Sequence, residues 1–182
     1  MTNAKVAKAR VATAWLDGCS GCHMSLLDMD ERLILLEEKI ELVYSPLVDA
    51  KQFPENVDVA LVEGSVSSED DLHKIRLIRA NSKVLIALGD CSVTGNIPSM
   101  RTVFPLAKVL ERVYEENTTI NKHVPTKMVP KLLERVMPLH EVVNVDLYLP
   151  GCPPSAQDIF FAISELLEGR MPDLSTTMRF GA

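Results

Sequence analysis

The amino-acid sequence predicts an α/β fold built on a doubly wound parallel sheet. Short aliphatic runs alternate with amphipathic stretches along the 182 residues, which is typical of alternating strands and helices. The runs Val57–Val62 and Val84–Leu88 are almost wholly aliphatic, as expected of strands that helices cover on both faces. Most runs end in Gly, Asp or Cys, so tight loops follow the carboxyl ends of the strands. Sheets of this flavodoxin-like kind bind their ligands at that edge.

The first part of the chain predicts two strands and a long helix. Arg10–Leu16 forms the first strand and Glu41–Tyr44 the second. Between them, apolar residues recur every three or four positions, which predicts one helix over residues 22–40. Ser20 precedes this helix and is expected to cap its N-terminus.

The middle of the chain repeats this pattern with clearer boundaries. Val57–Val62 is the third strand and Lys83–Leu88 is the fourth. Ser68 and Asp71 have the spacing of a capping box, which predicts that the intervening helix begins there. A loop containing Gly, Pro and Ser then runs to about residue 104, and Pro105 opens another helix.

The remaining elements complete the sheet. Residues 129–137 are predicted to be helical, and Val142–Leu149 supplies the fifth strand. Ser155 and Asp158 form a second capping box, which opens the last helix. The whole chain, residues 1–182, is therefore expected to be a single domain with no second domain at its C-terminus.

Composition and charge exclude several kinds of partner. The chain has 19 basic and 25 acidic residues and a net charge of −6, without a cluster of Lys and Arg, which argues against nucleic acid. No apolar run approaches the roughly 20 residues of a membrane helix, so no membrane association is expected. No signal peptide is recognisable, and the expected location is the cytoplasm, where cysteines stay reduced. The four cysteines are therefore expected to bind a metal or carry out redox chemistry.

All four cysteines come just after a predicted strand. Cys19 and Cys22 follow the first strand, Cys91 follows the fourth, and Cys152 follows the fifth. Parallel strands have their carboxyl ends on one edge of the sheet, so four cysteines distant in sequence are predicted to converge there. Four isolated buried cysteines would rarely have this arrangement.

Three chemistries suit such a set of cysteines. A structural zinc site usually has two short Cys pairs, whereas here the second half consists of the two single residues Cys91 and Cys152. A thioredoxin-like dithiol would account for Cys19 and Cys22 but gives the other two no role. A cubane iron–sulfur cluster uses all four, with one thiolate on each iron corner. Pro153 directly after Cys152 matches the Cys-Pro pair common at such ligands. The residues themselves favour the cluster.

Several neighbours of the cysteines are candidates for supporting roles. Gly18 and Gly151 lie in the cysteine loops, where glycine lets backbone N–H groups approach sulfur, and Pro153 stiffens the last loop. Glu63 ends the third strand on the same edge, where it could support a cluster, contact a partner or merely form part of a loop. His23 is expected to be a surface or interface residue.

The cysteine segments resemble those of the small subunit of nickel–iron hydrogenases. In that family the four matching cysteines bind the cluster nearest the active site, which implies Cys19, Cys22, Cys91 and Cys152 as ligands of one [4Fe-4S] cluster. The resemblance spans nearly the whole chain, and its motifs are specific only in combination. The matching segments are Trp15–Cys22, Val62–Ser65, Gly89–Cys91, Gly95–Ile97 and Pro150–Pro154.

The details favour one branch of this family. The related cluster subunit of NADH:quinone oxidoreductase has two adjacent cysteines in its first loop, whereas two residues separate Cys19 from Cys22 here. Energy-converting hydrogenases stay open as an alternative. The respiratory small subunits have a twin-arginine leader and a C-terminal multi-cluster domain, and neither is recognisable in this sequence. It is therefore most similar to the short small subunit of cytoplasmic, bidirectional NAD-reducing hydrogenases.

The resemblance also implies partners. A large subunit would carry the Ni-Fe centre and act on H2, and a diaphorase with flavin and iron–sulfur clusters would reduce NAD+. This chain would transfer electrons between them and would not be catalytic alone. It has no dinucleotide-binding or Walker motif, so no nucleotide site is expected here. FMN is expected on the diaphorase, although a flavin on this flavodoxin-like fold stays open. A non-redox scaffold with structural zinc is the alternative from another class.

Overall fold

The computed structural model describes residues 7–175 and has a five-stranded, wholly parallel central sheet. The strand order is β2-β1-β3-β5-β7, which is the flavodoxin-like order once two short strands outside the sheet are set aside. The predicted fold class is thus confirmed, while residues 1–6 and 176–182 of the predicted domain lie outside the described part. The strands are β1 (Ala9–Trp15), β2 (Ile40–Tyr44), β3 (Val57–Glu63), β5 (Ser82–Leu88) and β7 (Leu147–Leu149).

Helices cover both faces of this sheet. Within residues 7–175, no helix is long and apolar enough to span a membrane. Two further short strands, β4 (Val66–Ser68) and β6 (Leu132–Met137), pair with each other in an antiparallel manner outside the main sheet. The α-helices are α1 (Gly21–Leu27), α2 (Arg32–Glu37), α3 (Glu69–Ala80), α4 (Asp90–Thr94), α5 (Asn96–Ser99), α6 (Leu106–Glu111) and α7 (Ala156–Leu167).

The central strands separate two hydrophobic cores because their side chains alternate between the faces. Leu61 and Ile86 point into the core on the α7 side, where they pack with Ile159. Val62 and Leu85, one residue away on the same strands, belong to the core on the α3 side. All five side chains have no measurable exposure. Burial on both faces explains why these strands are nearly continuous aliphatic runs in the sequence.

Both predicted capping boxes mark the start of a helix, but only the first has both of its hydrogen bonds. The Asp71 N–H donates to Ser68 Oγ at 3.1 Å, and the Ser68 N–H donates back to Asp71 Oδ2 at 3.0 Å. At the start of α7, the Asp158 N–H donates to Ser155 Oγ at 3.1 Å. In each of the two longest helices, a serine side chain at the N-cap therefore accepts a hydrogen bond from a backbone N–H of the first turn.

The predicted continuous helix over residues 22–40 is wrong. It is divided into α1 and α2, because Asp30 has φ of 49° and interrupts the helical ladder. Met29 and Leu36 are both buried in one core, so the apolar spacing reflects a shared buried face. Ser20 is not the expected cap either, since its φ is 65° and its side chain makes no capping hydrogen bond.

The helix predicted over residues 129–137 is also wrong. Residues 132–137 form β6, whose Met137 pairs with Val66 and whose Leu132 pairs with Ser68. This partner strand is more than 60 residues away in sequence, so local apolar spacing carries no sign of it. The fifth strand of the sheet is shorter than the predicted Val142–Leu149, because only Leu147–Leu149 pairs with β5 and residues 142–146 belong to no strand.

The two-sided core predicts a strong contrast between two isoleucines. Ile86 is fully buried in the middle of the sheet, whereas Ile34 on α2 is 63% exposed. Ile86→Ala is expected to lower the free energy of unfolding by about 2–5 kcal/mol, because it leaves a cavity that the sheet cannot close. Ile34→Ala, the matched control, should change it by less than about 0.5 kcal/mol. Urea denaturation of both variants measures this, and equal losses would contradict the assigned core.

Candidate metal centre

The four cysteine side chains meet at the carboxyl edge of the sheet. Trp15, Glu63, Leu88 and Leu149 lie side by side in the parallel register, each at the end of its strand. The cysteine loops follow three of these strand ends directly, so the loops are neighbours in space although distant in sequence. All four cysteines line one recess of about 350 Å³, part of which is open to solvent.

The other residues singled out from the sequence line the same recess. Gly18, Glu63, Gly151 and Pro153 all contribute to its wall, and the peptide bond before Pro153 is cis. Gly21, Gly64 and Asp90 complete the lining. Within residues 7–175, no three His, Cys, Asp or Glu side chains lie close enough together to hold a single metal ion.

Backbone hydrogen bonds fasten the first cysteine loop to the end of β3. Asp17 and Ser65 exchange two N–H to C=O bonds, of 3.0 and 2.8 Å. Gly64 between them has φ of +86°, and a Cβ there would lie 2.8 Å from the Leu16 carbonyl carbon. Only glycine allows this close approach of the two backbone segments. The backbone of Asp17 thus joins the first cysteine loop to the segment after β3.

A similar link joins the other two cysteine loops. The Gly151 N–H donates to Asp90 Oδ1 at 2.7 Å, and the Asp90 N–H donates to the Gly151 carbonyl oxygen at 2.9 Å. Gly89, which precedes them, has φ of +81°, and a Cβ there would lie only 2.2 Å from Cys22 Sγ. Asp90 therefore holds the Cys91 and Cys152 loops together.

Glu63 lies at the base of the recess and is 2% exposed. Its Oε2 accepts a 2.8 Å hydrogen bond from the backbone N–H of His23 and lies 2.8 Å from His23 Nδ1. The approach to Nδ1 lacks hydrogen-bond geometry, so that ring nitrogen has no hydrogen-bond partner. On the other side of the ring, Nε2 is 2.9 Å from Thr13 Oγ1, which donates to Ser45 Oγ at 2.8 Å.

This network corrects the expectation for His23. The sequence placed it at the surface or an interface, but the side chain is 2% exposed and stacks edge-on against Trp15. The reason is that Cys22 and His23 lie in the first turn of α1, directly over the strand ends. The Cys22 side chain lines the recess, whereas the His23 side chain packs against Thr13 and Trp15 of β1. Glu63 thereby connects the first cysteine loop to the sheet through the His23 backbone.

Two polar residues beside the cysteines escaped the sequence reasoning. Asn96 Nδ2 lies 3.5 Å from Cys152 Sγ, within reach of an N–H to sulfur hydrogen bond. Ser65 Oγ lies 2.8 Å from the Cys91 carbonyl oxygen and 3.2 Å from that of Gly95. Both belong to segments that carry the resemblance, which is the only signal in the sequence that could have pointed to them.

The thiols differ in burial. Cys19 and Cys152 are exposed at the rim, whereas Cys22 and Cys91 are partly buried. Burial raises the pKa of Cys91 to about 11, helped by the neighbouring Cys152 and Cys19. Burial also raises the pKa of the Cys22 thiol, with Glu63 and the other three cysteines as further causes. Since the other cysteines contribute to both shifts, they lie close enough to Cys22 and Cys91 for thiolates there to repel one another.

Positive charge inside the recess would relieve this repulsion. Among the described residues that line it, none is Lys, Arg or His, while Glu63 and Asp90 add further negative charge. A bound group with several iron ions would supply the missing charge and take soft sulfur ligands, one per corner. The donor set thus suits a cluster of several metal ions.

The fold and this recess define a class of protein, namely an α/β domain that presents four cysteines at the carboxyl edge of a parallel sheet. Comparison with known families makes the assignment specific. The chain belongs to the family described as NADH ubiquinone oxidoreductase, 20 Kd subunit, whose model matches residues 19–166. The matched range contains all four cysteines.

The most informative relatives are hydrogenase subunits. The chain is 40% identical, over 94% of its length, to the delta subunit of the NAD-reducing hydrogenase HoxS of Cupriavidus necator, and the match covers 84% of that protein. It is 41% identical to a subunit of the F420-non-reducing hydrogenase vhu of Methanocaldococcus jannaschii, over 92% of this chain but only 59% of that protein. The resemblance to hydrogenase small subunits is thus confirmed within the wider family.

Solved structures agree with these relatives. The chain matches a subunit in the crystal structure of an NAD+-reducing [NiFe]-hydrogenase in the H2-reduced state with a TM-score of 0.91 and 40% identity, covering 96% of this chain and 99% of that one. A [NiFeSe]-hydrogenase of Dm. baculatum matches with a TM-score of 0.59 at 19% identity, which shows a shared fold.

Proposed function

We propose that the chain is the electron-transfer small subunit of an NAD-reducing nickel–iron hydrogenase. The observation that carries this proposal is the convergence of four cysteines on one recess in a domain so similar, over nearly its whole length, to a subunit of such an enzyme. The chain would take electrons from H2 oxidation in a large subunit and pass them towards NAD+ reduction in a diaphorase.

The proposed ligands are Cys19, Cys22, Cys91 and Cys152, and together they would hold one [4Fe-4S] cluster. Such a cluster supplies storage for one electron at a time. The chemistry of the recess supports this, because the neighbouring cysteines contribute to the raised pKa of Cys22 and of Cys91, and none of the described lining residues is a basic side chain that would offset this effect. Glu63, Gly18, Gly151 and Pro153 would shape the wall around the cluster.

The chain's own residues suit an exchange of electrons at its surface. Cys19 and Cys152 are exposed at the rim, so a cluster there would lie close to whatever protein covers the recess. Large apolar side chains next to the cysteine loops in sequence are also exposed, among them Met24 at 60% and Ile97 at 65%. Apolar surface of this kind fits a permanent subunit interface.

The proposed partners share the chemistry with this chain. The large subunit would hold the Ni-Fe centre, and the diaphorase subunits would hold further iron–sulfur clusters together with FMN. In this arrangement the present chain catalyses nothing alone, and its location is the cytoplasm.

The family description favours one second candidate. The family is described by a subunit of NADH ubiquinone oxidoreductase, so a cluster-bearing subunit of that complex or of an energy-converting hydrogenase is the alternative. The first loop argues for the hydrogenase, because two residues separate Cys19 from Cys22 where the oxidoreductase subunit has adjacent cysteines. The subunits that co-purify with the chain distinguish these functions.

Metal analysis tests the proposed centre directly. Protein purified without oxygen is expected to contain about four iron and four sulfide per chain, and to give the EPR signal of a [4Fe-4S] cluster after reduction. Cys152→Ala should lose or convert that signal, because one corner of the cluster would lack its thiolate. One zinc per chain without sulfide would replace the proposal with a structural zinc scaffold.

The close approach of Gly89 to Cys22 gives a geometric test of the same centre. Gly89→Ala is expected to reduce the iron content well below four per chain, because its Cβ would lie 2.2 Å from the Cys22 sulfur. Gly169→Ala is the matched control, since Gly169 also has positive φ but a Cβ there meets nothing within 4 Å. Gly169→Ala should keep about four iron per chain, although the positive φ strains alanine there as it does at position 89. Equal iron contents in the two folded variants would argue against Cys22 as a ligand.

Reconstitution tests the division of labour among the subunits. The chain alone is expected to show no H2-dependent reduction of NAD+, because it has neither a nickel site nor a nucleotide-binding motif. Together with a nickel–iron large subunit it should form a heterodimer that oxidises H2 with an artificial acceptor. Reduction of NAD+ should appear only after the flavin-bearing subunits are added. H2-dependent NAD+ reduction by the single chain would refute the proposal.

A further inference from the structure

The side-chain amide of Asn96 lies against one of the four cysteines. Its Nδ2 is 3.5 Å from Cys152 Sγ. A thiolate can only accept hydrogen bonds, so the amide presents an N–H group to this sulfur. Asn96 follows β5 and Cys152 follows β7, so the contact joins the segments after two different strands.

The backbone of Asn96 holds this amide in a costly conformation. Its φ is +35°, a value that glycine adopts far more easily than any residue with a side chain. Ser99 Oγ donates to the Asn96 carbonyl oxygen at 2.7 Å, and Ser65 Oγ lies 3.2 Å from the preceding Gly95 carbonyl oxygen. The conformation is therefore held from both sides. Glycine at this position would remove the strain of the positive φ but would provide no N–H donor to the Cys152 sulfur.

We propose that Asn96 raises the reduction potential of the cluster by donating an N–H group to the sulfur of Cys152. This inference rests on the proposed function, since it concerns the same centre. Reduction adds one negative charge, which spreads over the sulfurs, so a donor at sulfur stabilises the reduced form more than the oxidised form. Asn96 is thus a positioning residue that sets how readily this chain accepts an electron.

The test compares midpoint potentials in variants that keep the backbone. Asn96→Gly removes the amide and relieves the positive φ, so the fold is retained. Asn96→Asp keeps the size of the side chain but replaces the donor with an anion. Both should shift the midpoint potential to more negative values, and Asp should shift it further. A tenfold weaker reduction equilibrium corresponds to 59 mV for one electron.

The matched control is Asn121→Gly. Asn121 also has positive φ, at 52°, and lies in a solvent-exposed loop. The full chain, co-expressed with a nickel–iron large subunit, is titrated anaerobically and monitored by the EPR signal of the reduced cluster. The midpoint is read on the loaded fraction alone, so partial loss of iron in a variant does not obscure it. Asn121→Gly should leave the midpoint unchanged.

The outcomes separate this inference from the proposed function. Without any [4Fe-4S] signal in the unmodified chain, the proposed function itself fails. With that signal present, midpoints of Asn96→Gly and Asn96→Asp equal to that of the unmodified chain would overturn the role of Asn96. An equal shift in Asn121→Gly would also overturn it, since the effect would then come from relief of backbone strain anywhere in the chain.

Discussion

The parallel register of the sheet is the constraint on which the rest of the molecule depends. It aligns Trp15, Glu63, Leu88 and Leu149 in one row, so the strands end together. Each loop that leaves this row begins at the same height, and three of them carry cysteines. A slip by one residue in a central strand would exchange the side chains that face the two cores. It would also displace the cysteines that follow that strand from the recess. The two-sided hydrophobic core, which fixes the register, therefore also assembles the site.

Hydrogen bonds between the loops then fix the positions of the cysteines, which the register of the strands brings to one edge. The Asp17–Ser65 pair joins the first cysteine loop to the end of β3, and the Asp90–Gly151 pair joins the other two. The buried carboxylate of Glu63 accepts a hydrogen bond from the backbone N–H of His23. The same carboxylate contributes to the raised pKa of Cys22. Burial and the neighbouring cysteines raise the pKa of Cys22 and of Cys91, which disfavours their thiolates. The binding of iron would therefore release protons and stabilise the folded loops together.

The position of the recess also explains how one domain can serve a larger enzyme. Two of its thiols lie at the rim and two lie deeper, so the proposed cluster would be held from the sheet side and approached from the solvent side. The chain carries no nucleotide-binding motif, which leaves the substrate chemistry to its proposed partners. In the proposed function, this chain would hold the electron carrier at a fixed position and set its reduction potential. The role proposed for Asn96 concerns the reduction potential.

The sequence by itself determined the fold class, the clustering of the cysteines and the family resemblance. The reason is that aliphatic strands covered on both faces and residues directly after strand ends leave a local signature. Tertiary structure alone decided that β6 is a strand, because its partner β4 lies more than 60 residues away. It also decided that His23 is buried and that Asn96 reaches the sulfur of Cys152, since both depend on how loops from different strands pack. Pairing and packing between distant segments have no local pattern, so only the folded chain reveals them.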